Sequence, residues 1–278
     1  MSRLKLFALS VALIFCSADV LSARKSQDTF YFGVFPYVSG NRIVKLYKPI
    51  ATYLEQKLEK KVVIVSAPSF KAFLERTHQQ KYDLIFTAPH FAALEEKRGT
   101  YSHLARFERN LKGNVFVSQS SPIKTPADLI GKKVALPDEL AVISAMGEFY
   151  IEKQGLTPGK DVILVNTPSH INALLTVKNQ QADAGIVAWP VYNMFTKKQG
   201  NELRVIAHTD EIVGAMFMLS NKYLESDYEK ILEIFLSFSQ SEMGKEFFKR
   251  SPFKGLKRVN QQELDSLAPY LEVLEKHL

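Results

Sequence analysis

A nine-residue pattern occurs twice, one hundred positions apart: residues 62–70 read Val-Val-Ile-Val-Ser-Ala-Pro-Ser-Phe, and residues 162–170 read Val-Ile-Leu-Val-Asn-Thr-Pro-Ser-His. The same offset relates Leu74 to Leu174 and Asp83 to Asp183. Each copy reads as a β-branched run, a Pro-Ser turn, a helix and a second apolar run. Apolar strands joined through helices are typical of a parallel sheet that is covered on both faces. Any two βαβ units share part of this pattern, but the common register favours two related α/β lobes.

The similarity extends in both directions along the chain. Residues 30–35 form an apolar run before a predicted helix over 42–58, and residues 133–136 precede a predicted helix over 140–154. Each lobe is therefore predicted to be a β-α-β-α-β unit with crossover helices. The apolar runs around Val115 and Met216 match at an offset near 101, and we expect them to be the two strands that cross between lobes.

These patterns predict an α/β protein: two similar α/β lobes with a central cleft, joined by two crossing strands. Lobe 1 is expected to comprise residues 24–114, and lobe 2 residues 115–208. Residues 209–278 supply the return strand and C-terminal helices of lobe 1. Everything after Lys222 is predicted to be helical, because Leu224, Ile231 and Phe235 recur at helical spacing.

The first 23 residues are typical of a secretory signal peptide. Arg3 and Lys5 precede an apolar run over 6–16, which is too short to span a bilayer. We expect cleavage after Ala23, with Ala18 or Ser22 as alternatives, and a periplasmic mature protein. Lipid anchoring at Cys16 is the less favoured interpretation, since a bulky phenylalanine precedes that cysteine.

Composition and motifs exclude several function classes. The chain has 46% hydrophobic residues and a net charge of +7 that is scattered along the sequence, unlike the clustered cations of nucleic-acid binders. It has one cysteine and six histidines that are far apart in sequence, so no local metal motif is present. The sequence contains no Gly-x-Ser-x-Gly nucleophile motif, no Walker A phosphate-binding loop and no glycine-rich dinucleotide-binding motif. We therefore expect a monomer that is not an enzyme, binds no nucleic acid, and uses neither a metal nor another cofactor.

The ligand site is predicted beyond the carboxyl ends of the strands, where open parallel sheets bind their ligands. Several of the loops there begin helices, whose free N–H groups attract anions. Helix capping alone would explain the two Pro-Ser serines, and aromatic rings are found in cores as well as in sites. The candidate ligand-binding residues are Tyr37, Arg42, Ser69, Phe70, Thr87, His90, Phe91, Glu139, Ser144, Ser169, His170, Trp189 and Tyr192.

The chain resembles the phosphate/phosphite/phosphonate-binding (PhnD-like) family of periplasmic solute-binding proteins of ABC transporters. The motifs that carry the resemblance are the segments 46–54, 82–89, 127–134, 169–170 and 181–185. It implies a type 2 periplasmic binding protein fold, a permease partner and a phosphonate-like ligand held by Tyr37 and His170. Two family elements differ: Ala88-Pro89 lacks the following tyrosine, and residues 138–142 replace a Ser-Thr-Ser helix start. An oxyanion, an amine-bearing solute or an aromatic compound therefore stays open.

Three functions can use such a cleft. The first is capture of a small solute for an ABC transporter, with the lobes closing about a hinge. The alternative is a periplasmic ligand sensor that reports to a membrane sensor kinase or cyclase, which needs the same cleft. The third, an exported enzyme using His170 or the Asp138-Glu139 pair, is disfavoured because adjacent carboxylates rarely flank a substrate.

Overall fold

A computed structural model describes residues 29–278 of the chain, except for residues 201 and 224. The predicted signal peptide, its cleavage point, Cys16 and Leu224 lie outside the described residues. Within the described part, none of the helices combines the length and the apolar composition that a membrane span requires.

The strands form two separate sheets. The strands are β1 (Thr29–Val34), β2 (Lys61–Val65), β3 (Leu84–Thr87), β4 (Tyr101–Phe107), β5 (Gly113–Ser118), β6 (Lys133–Leu136), β7 (Ile163–Asn166), β8 (Ala184–Ala188), β9 (Leu203–His208), β10 (Met216–Ser220) and β11 (Leu256–Arg258). The first sheet has the order β2-β1-β3-β10-β4-β11, and the second has the order β7-β6-β8-β5-β9.

Helices cover the sheets and connect their parallel strands. We call the half built on the first sheet lobe 1 and the half built on the second sheet lobe 2. The helices are α1 (Gly40–Leu58), α2 (Phe70–His78), α3 (Pro89–Arg98), α4 (Val142–Lys153), α5 (His170–Lys178), α6 (Trp189–Gln199), α7 (Glu225–Ser237), α8 (Glu242–Arg250), α9 (Gln261–Asp265) and α10 (Ala268–His277). The prediction of two similar α/β lobes is confirmed.

The offset of one hundred residues reflects equivalent positions in the two sheets. The order β2-β1-β3-β10-β4 in lobe 1 corresponds to β7-β6-β8-β5-β9 in lobe 2. Ser69 and Ser169 each accept a hydrogen bond from the backbone N–H three residues later, at 3.2 Å, and so cap α2 and α5. Gln80 and Gln180 both have positive φ angles, 50° and 59°, where those two helices have ended. The repeated sequence thus encodes a repeated strand, cap, helix and turn.

Central strands are apolar because both of their faces are covered. Every residue of β3, β8 and β10 is buried. Parallel sheets with helices on both faces require such continuous apolar strands. Asp83 and Asp183, one residue before β3 and β8, accept backbone N–H bonds from Tyr31 at 2.6 Å and Lys133 at 2.8 Å. These carboxylates therefore tie each strand start to the neighbouring strand.

The crossings between lobes lie just before the predicted ones. The runs around Val115 and Met216 are β5 and β10, which pair antiparallel inside the second and first sheets respectively. The chain passes between lobes over residues 108–112 and 209–215. Leu111 and Ile212 exchange two backbone hydrogen bonds, of 2.8 and 2.9 Å, and so bridge the two crossing segments. The crossings differ from the prediction because the two apolar runs assigned to them form full strands inside the sheets, and the chain crosses in the residues just before each run.

The C-terminal region returns to lobe 1, as predicted, but it is not wholly helical. The short strand β11 pairs antiparallel with β4 at the edge of the first sheet. Its three residues show no helical or alternating signal that separates them from a loop. The last helix, α10, packs on α3 and also reaches lobe 2, where the rings of Tyr270 and Phe149 lie 5.3 Å apart.

Candidate functional site

A cavity of about 80 Å³ lies between the lobes, at the carboxyl ends of both sets of parallel strands. Lobe 1, lobe 2 and both crossing segments contribute to its wall. No aspartate or glutamate of the described residues lines it. The lining residues are Phe35, Tyr37, Phe70, Phe86, Ala88, Pro89, Phe107, Arg109, Asn110, Leu111, Leu140, Ala141, Val142, Ile143, His170, Ala188, Trp189, Pro190, Val191, Gly214, Ala215 and Phe253.

Aromatic rings form the lobe 1 wall of the cavity. Phe35 follows β1 and stacks on Tyr37 with ring centroids 4.9 Å apart. It also contacts Phe70 at 6.1 Å, at the start of α2. The Tyr37 hydroxyl hydrogen-bonds the Tyr47 hydroxyl at 3.1 Å, and burial raises the Tyr37 pKa above its ordinary value. The tyrosine is therefore neutral, and it presents mainly an apolar ring to the cavity.

Trp189 contributes an aromatic ring to the cavity wall from lobe 2. It follows β8, and its indole Nε1 donates a hydrogen bond to the Asn110 carbonyl at 3.1 Å. The guanidinium of Arg109 lies 4.2 Å from the centre of the ring, which is cation–π geometry. Both partners belong to the first crossing segment, so the orientation of Trp189 is coupled to the connection between the lobes.

His170 is the polar side chain at the start of α5. Its Nδ1 accepts a hydrogen bond from the Ala188 N–H at 3.5 Å, which places the proton of the neutral ring on Nε2. Burial lowers the His170 pKa to about 4. Nε2 has no hydrogen-bond partner among the described residues. His170 can therefore offer a neutral N–H donor to a solute in the cavity.

Direct contacts between the lobes close the cleft beside the cavity. His90 of lobe 1 donates a hydrogen bond from Nε2 to the Leu140 carbonyl of lobe 2, at 2.9 Å. The Leu140 side chain packs in a cluster with Phe70, Leu74 and Phe91 of lobe 1. Burial lowers the His90 pKa to about 4, so the ring is neutral at neutral pH. The structure therefore shows the lobes in a closed arrangement.

The segment before α4 carries two carboxylates, Asp138 and Glu139, at the place where the family resemblance implied a Ser-Thr-Ser helix start. Asp138 accepts the Leu140 N–H at 2.9 Å, and burial raises the pKa of its carboxyl. The Ser144 hydroxyl donates to the Asp138 carbonyl at 2.9 Å and lies inside lobe 2. The residues of this segment that line the cavity are apolar, from Leu140 to Ile143. This segment supplies no side-chain donor to the cavity.

The structure brings four of the predicted site residues together and separates the others. Tyr37, Phe70, His170 and Trp189 line the cavity, whereas Arg42 lines a neighbouring open groove. His90 and Phe91 are buried at the contact between the lobes, and the buried Thr87 hydroxyl has no partner among the described residues.

The remaining predicted residues have other neighbours. Ser69 and Ser169 cap helices, and Ser144, in the first turn of α4, donates to the Asp138 carbonyl of the segment before that helix. Tyr192 donates its hydroxyl to the Leu203 carbonyl at 3.1 Å and packs on Phe116 in the lobe 2 core. Glu139 is exposed, 3.9 Å from the His277 imidazole.

Several cavity residues were absent from the predicted set. Arg109 and Asn110 lie in the first crossing segment, which sequence reasoning placed a few residues too late. Phe253 lies between α8 and β11, in a region predicted to be only helical. A signal for Arg109 was available: it is the first cation after β4, at the place where the chain leaves lobe 1 for lobe 2.

Comparisons with known proteins agree with this architecture. The family described as "ABC transporter, phosphonate, periplasmic substrate-binding protein" matches residues 32–264. Among solved structures, a binding-protein component of an ABC phosphonate transporter from Pseudomonas aeruginosa is 15% identical; the match covers 91% of this chain and 96% of that chain, with a TM-score of 0.75. PhnD1 from Prochlorococcus marinus in complex with methylphosphonate is 14% identical over 90% and 98% of the two chains, with a TM-score of 0.77.

A sulfonate-binding protein shares the fold as well. The periplasmic aliphatic sulphonate binding protein SsuA from Escherichia coli is 18% identical, and the match covers 90% of this chain and 92% of that chain, with a TM-score of 0.67. The two-lobed fold and its interlobe cavity thus define a type 2 periplasmic binding protein. The chain belongs to the phosphonate family of periplasmic substrate-binding proteins of ABC transporters. This membership implies a periplasmic location, a small-molecule ligand and a permease partner.

Proposed function

We propose that this protein captures a small organic solute between its lobes and delivers it to the membrane permease of an ABC transporter. The observation that supports this most directly is the cavity at the carboxyl ends of both sheets, lined by both lobes and both crossing segments. A solute there touches every part that must move when the lobes open.

Closure would be a hinge motion about the crossing segments. Among the described residues, two backbone hydrogen bonds between Leu111 and Ile212 and an ion pair between Lys112 and Glu211, at 3.5 Å, join these segments. A solute that contacts both lobes has differential affinity for the closed arrangement and shifts the population toward it. The permease would then recognise the closed form.

Within the predicted set, we propose Tyr37, Phe70, His170 and Trp189 as the solute-contacting residues. The rings enclose the solute from opposite lobes, and His170 Nε2 offers one hydrogen bond. Arg42 is proposed to act from the groove, and His90 and Phe91 to hold the closed arrangement. The other predicted residues serve the local contacts described above.

The remaining assignments extend the same proposal. We propose a monomeric, non-catalytic carrier without a cofactor, exported by the signal peptide over residues 1–23 and not lipid-anchored at Cys16. We propose the lobe boundaries 24–114, 115–208 and 209–278, with residues 113–114 moved to lobe 2 because β5 of the second sheet begins at Gly113. The sensor alternative needs the same cleft, but the family match favours transport.

Calorimetric titration of the mature protein with a solute panel tests this function. The panel contains methylphosphonate, inorganic oxyanions, aromatic and aliphatic carboxylates, sulfonates and amines. We expect at least one class to bind and to raise the melting temperature, since ligands that bind only the folded state stabilise it. No heat and no thermal shift with any class would contradict the proposal.

Variants locate the binding site in the same experiment. We expect Trp189→Ala and Tyr37→Ala to lower affinity about five- to tenfold, because an aromatic contact contributes about 1 kcal/mol. Tyr31→Ala is the matched control, since Tyr31 is 43% exposed on β1 and does not line the cavity. Unchanged affinity in both cavity variants would exclude this cavity as the binding site.

A further inference from the structure

A basic groove of about 940 Å³ lies next to the cavity and spans both lobes. One carboxylate, Glu246, lines it, and that carboxylate is paired with Arg250. Among the groove-lining residues the cations come from α1, the first crossing segment, α6 and α8: Arg42, Lys45, Arg109, Lys197, Lys249 and Arg250.

Arg109 and Trp189 line both the groove and the cavity, and so form the boundary between them. Arg109 is exposed, and no carboxylate of the described residues is paired with it. One guanidinium nitrogen donates to the Pro252 carbonyl at 3.4 Å, while the group lies 4.2 Å from the Trp189 ring. A guanidinium has five N–H donors, so most of its donors are left for an anion.

The two spaces differ sharply in character. The cavity wall is mostly aromatic and aliphatic, its histidine is neutral, and no carboxylate lines it. Moving an unpaired charge into such surroundings is costly. The groove, in contrast, concentrates positive charge at the cavity edge and would repel an ammonium group.

We propose that the solute is an organic monoanion whose apolar body fills the cavity and whose anionic group, a carboxylate or sulfonate, pairs with Arg109 at the groove. This proposal rests on the proposed function of solute capture. An apolar cavity of about 150 Å³ holds a benzene ring, so the cavity of about 80 Å³ encloses a smaller apolar body, or part of a ring that extends toward the groove.

This arrangement also explains the departures from a phosphonate site. A dianion deep in the cleft would meet apolar side chains at the start of α4, with Asp138 and Glu139 directly before them. A monoanion held at the opposite edge, near Arg109, needs no donor from α4. Asp138 and Glu139 then do not weaken binding by repulsion, because the anionic group of the solute does not approach them.

Calorimetry with a matched ring series tests the inference. The probes are benzoate, benzenesulfonate, benzyl alcohol, benzylamine and methylphosphonate. We expect benzoate or benzenesulfonate to bind at least tenfold more tightly than the neutral, cationic and phosphonate probes, and to bind more weakly as salt is raised from 20 to 300 mM. Tighter binding of any of the other three probes would overturn the inference and leave solute capture standing. No binding by any probe, or by any member of the wider panel, would contradict solute capture itself.

The variant Arg109→Gln distinguishes the contribution of the Arg109 charge to affinity from that of the apolar cavity. We expect it to lower affinity for the anions at least tenfold and to reduce the salt dependence, while affinity for benzyl alcohol changes little. The exposed Lys160→Gln in lobe 2 is the matched control for loss of one positive charge. Anion affinity that is equal in Arg109→Gln and in the control would overturn the assignment of Arg109, and the melting temperature of each variant verifies that it is folded.

Discussion

His90 carries a hydrogen bond between the lobes while being fully withdrawn from water. Its pKa falls to about 4 because burial disfavours the charged ring, whereas an exposed histidine titrates near 6.5. The folded state therefore binds fewer protons than the unfolded state between these two values. The contribution of neutral His90 to the stability of the folded state is therefore fully present above about pH 6.5, and it is lost as the pH falls towards 4.

We predict that wild type loses about 2 kcal/mol of stability relative to His90→Asn between pH 7 and pH 5. The comparison with the variant is needed because of Glu95, whose pKa is raised to about 7 by burial. Its protonation makes the folded state more stable as the pH falls, and this effect is the same in wild type and variant, so it cancels in the difference. Urea unfolding of both proteins at the two pH values gives the difference. A difference that is independent of pH would show that His90 is not buried in the neutral form.

Asp83 and Asp183 occupy equivalent positions in the repeat but differ in burial. Asp83 is buried and accepts hydrogen bonds from the Tyr31 N–H and the Tyr223 hydroxyl, with the Lys222 ammonium at 2.6 Å. Asp183 is exposed and accepts the Lys133 N–H. Buried partners left unsatisfied cost more than partners that water can reach.

We therefore predict that Asp83→Ala lowers the free energy of unfolding by about 1–3 kcal/mol, and Asp183→Ala by less than about 1 kcal/mol. Denaturant titrations of the two variants beside wild type measure both values. Equal losses would mean that the two copies of the repeat are stabilised in the same way, against the asymmetry of the structure.

At the level of elements, the segment before α4 holds the cleft closed. Leu140 packs against lobe 1 side chains, and its carbonyl accepts the His90 bond. Removal of a buried leucine side chain costs about 2–5 kcal/mol. Because these contacts join the lobes, the cost applies mainly to the closed arrangement.

We predict that Leu140→Ala increases the radius of gyration of the solute-free protein and lowers solute affinity, since the binding-competent population falls. Small-angle scattering and calorimetry measure the two effects. Ile130→Ala is the control, because Ile130 is 62% exposed in lobe 2. A variant that is as compact as wild type, with equal affinity, would contradict the role of Leu140.

Sequence periodicity located most elements because apolar runs, Pro-Ser turns and helix caps are local signals. It placed the two crossings too late, because the apolar runs of β5 and β10 would look the same in a strand that crosses between lobes and in a strand inside a sheet. It also missed β11, whose pairing with β4 depends on residues some 150 positions apart. Local patterns cannot report such a pairing.

At the scale of the whole molecule, the repeat and the strand-end rule placed the cleft between the two lobes, and four of thirteen proposed site residues line its cavity. The sequence could not tell the other nine residues from solute-contacting ones, because a serine that caps a helix and a ring that is buried in the core are the same residue types as those that contact a solute. Leu140 was missed for a related reason, because its role arises only when the two lobes meet, whereas Arg109 was missed because the first crossing was placed too late.

The account depends most on a small solute being enclosed between the lobes at this cavity. A crystal structure of the protein with the tightest-binding solute of the panel tests this directly. We predict density for the solute between the Tyr37 and Trp189 rings, within hydrogen-bond distance of His170 Nε2 and enclosed by both lobes. Solute density on the outer surface of one lobe, with the cavity empty at saturating concentration, would contradict the account.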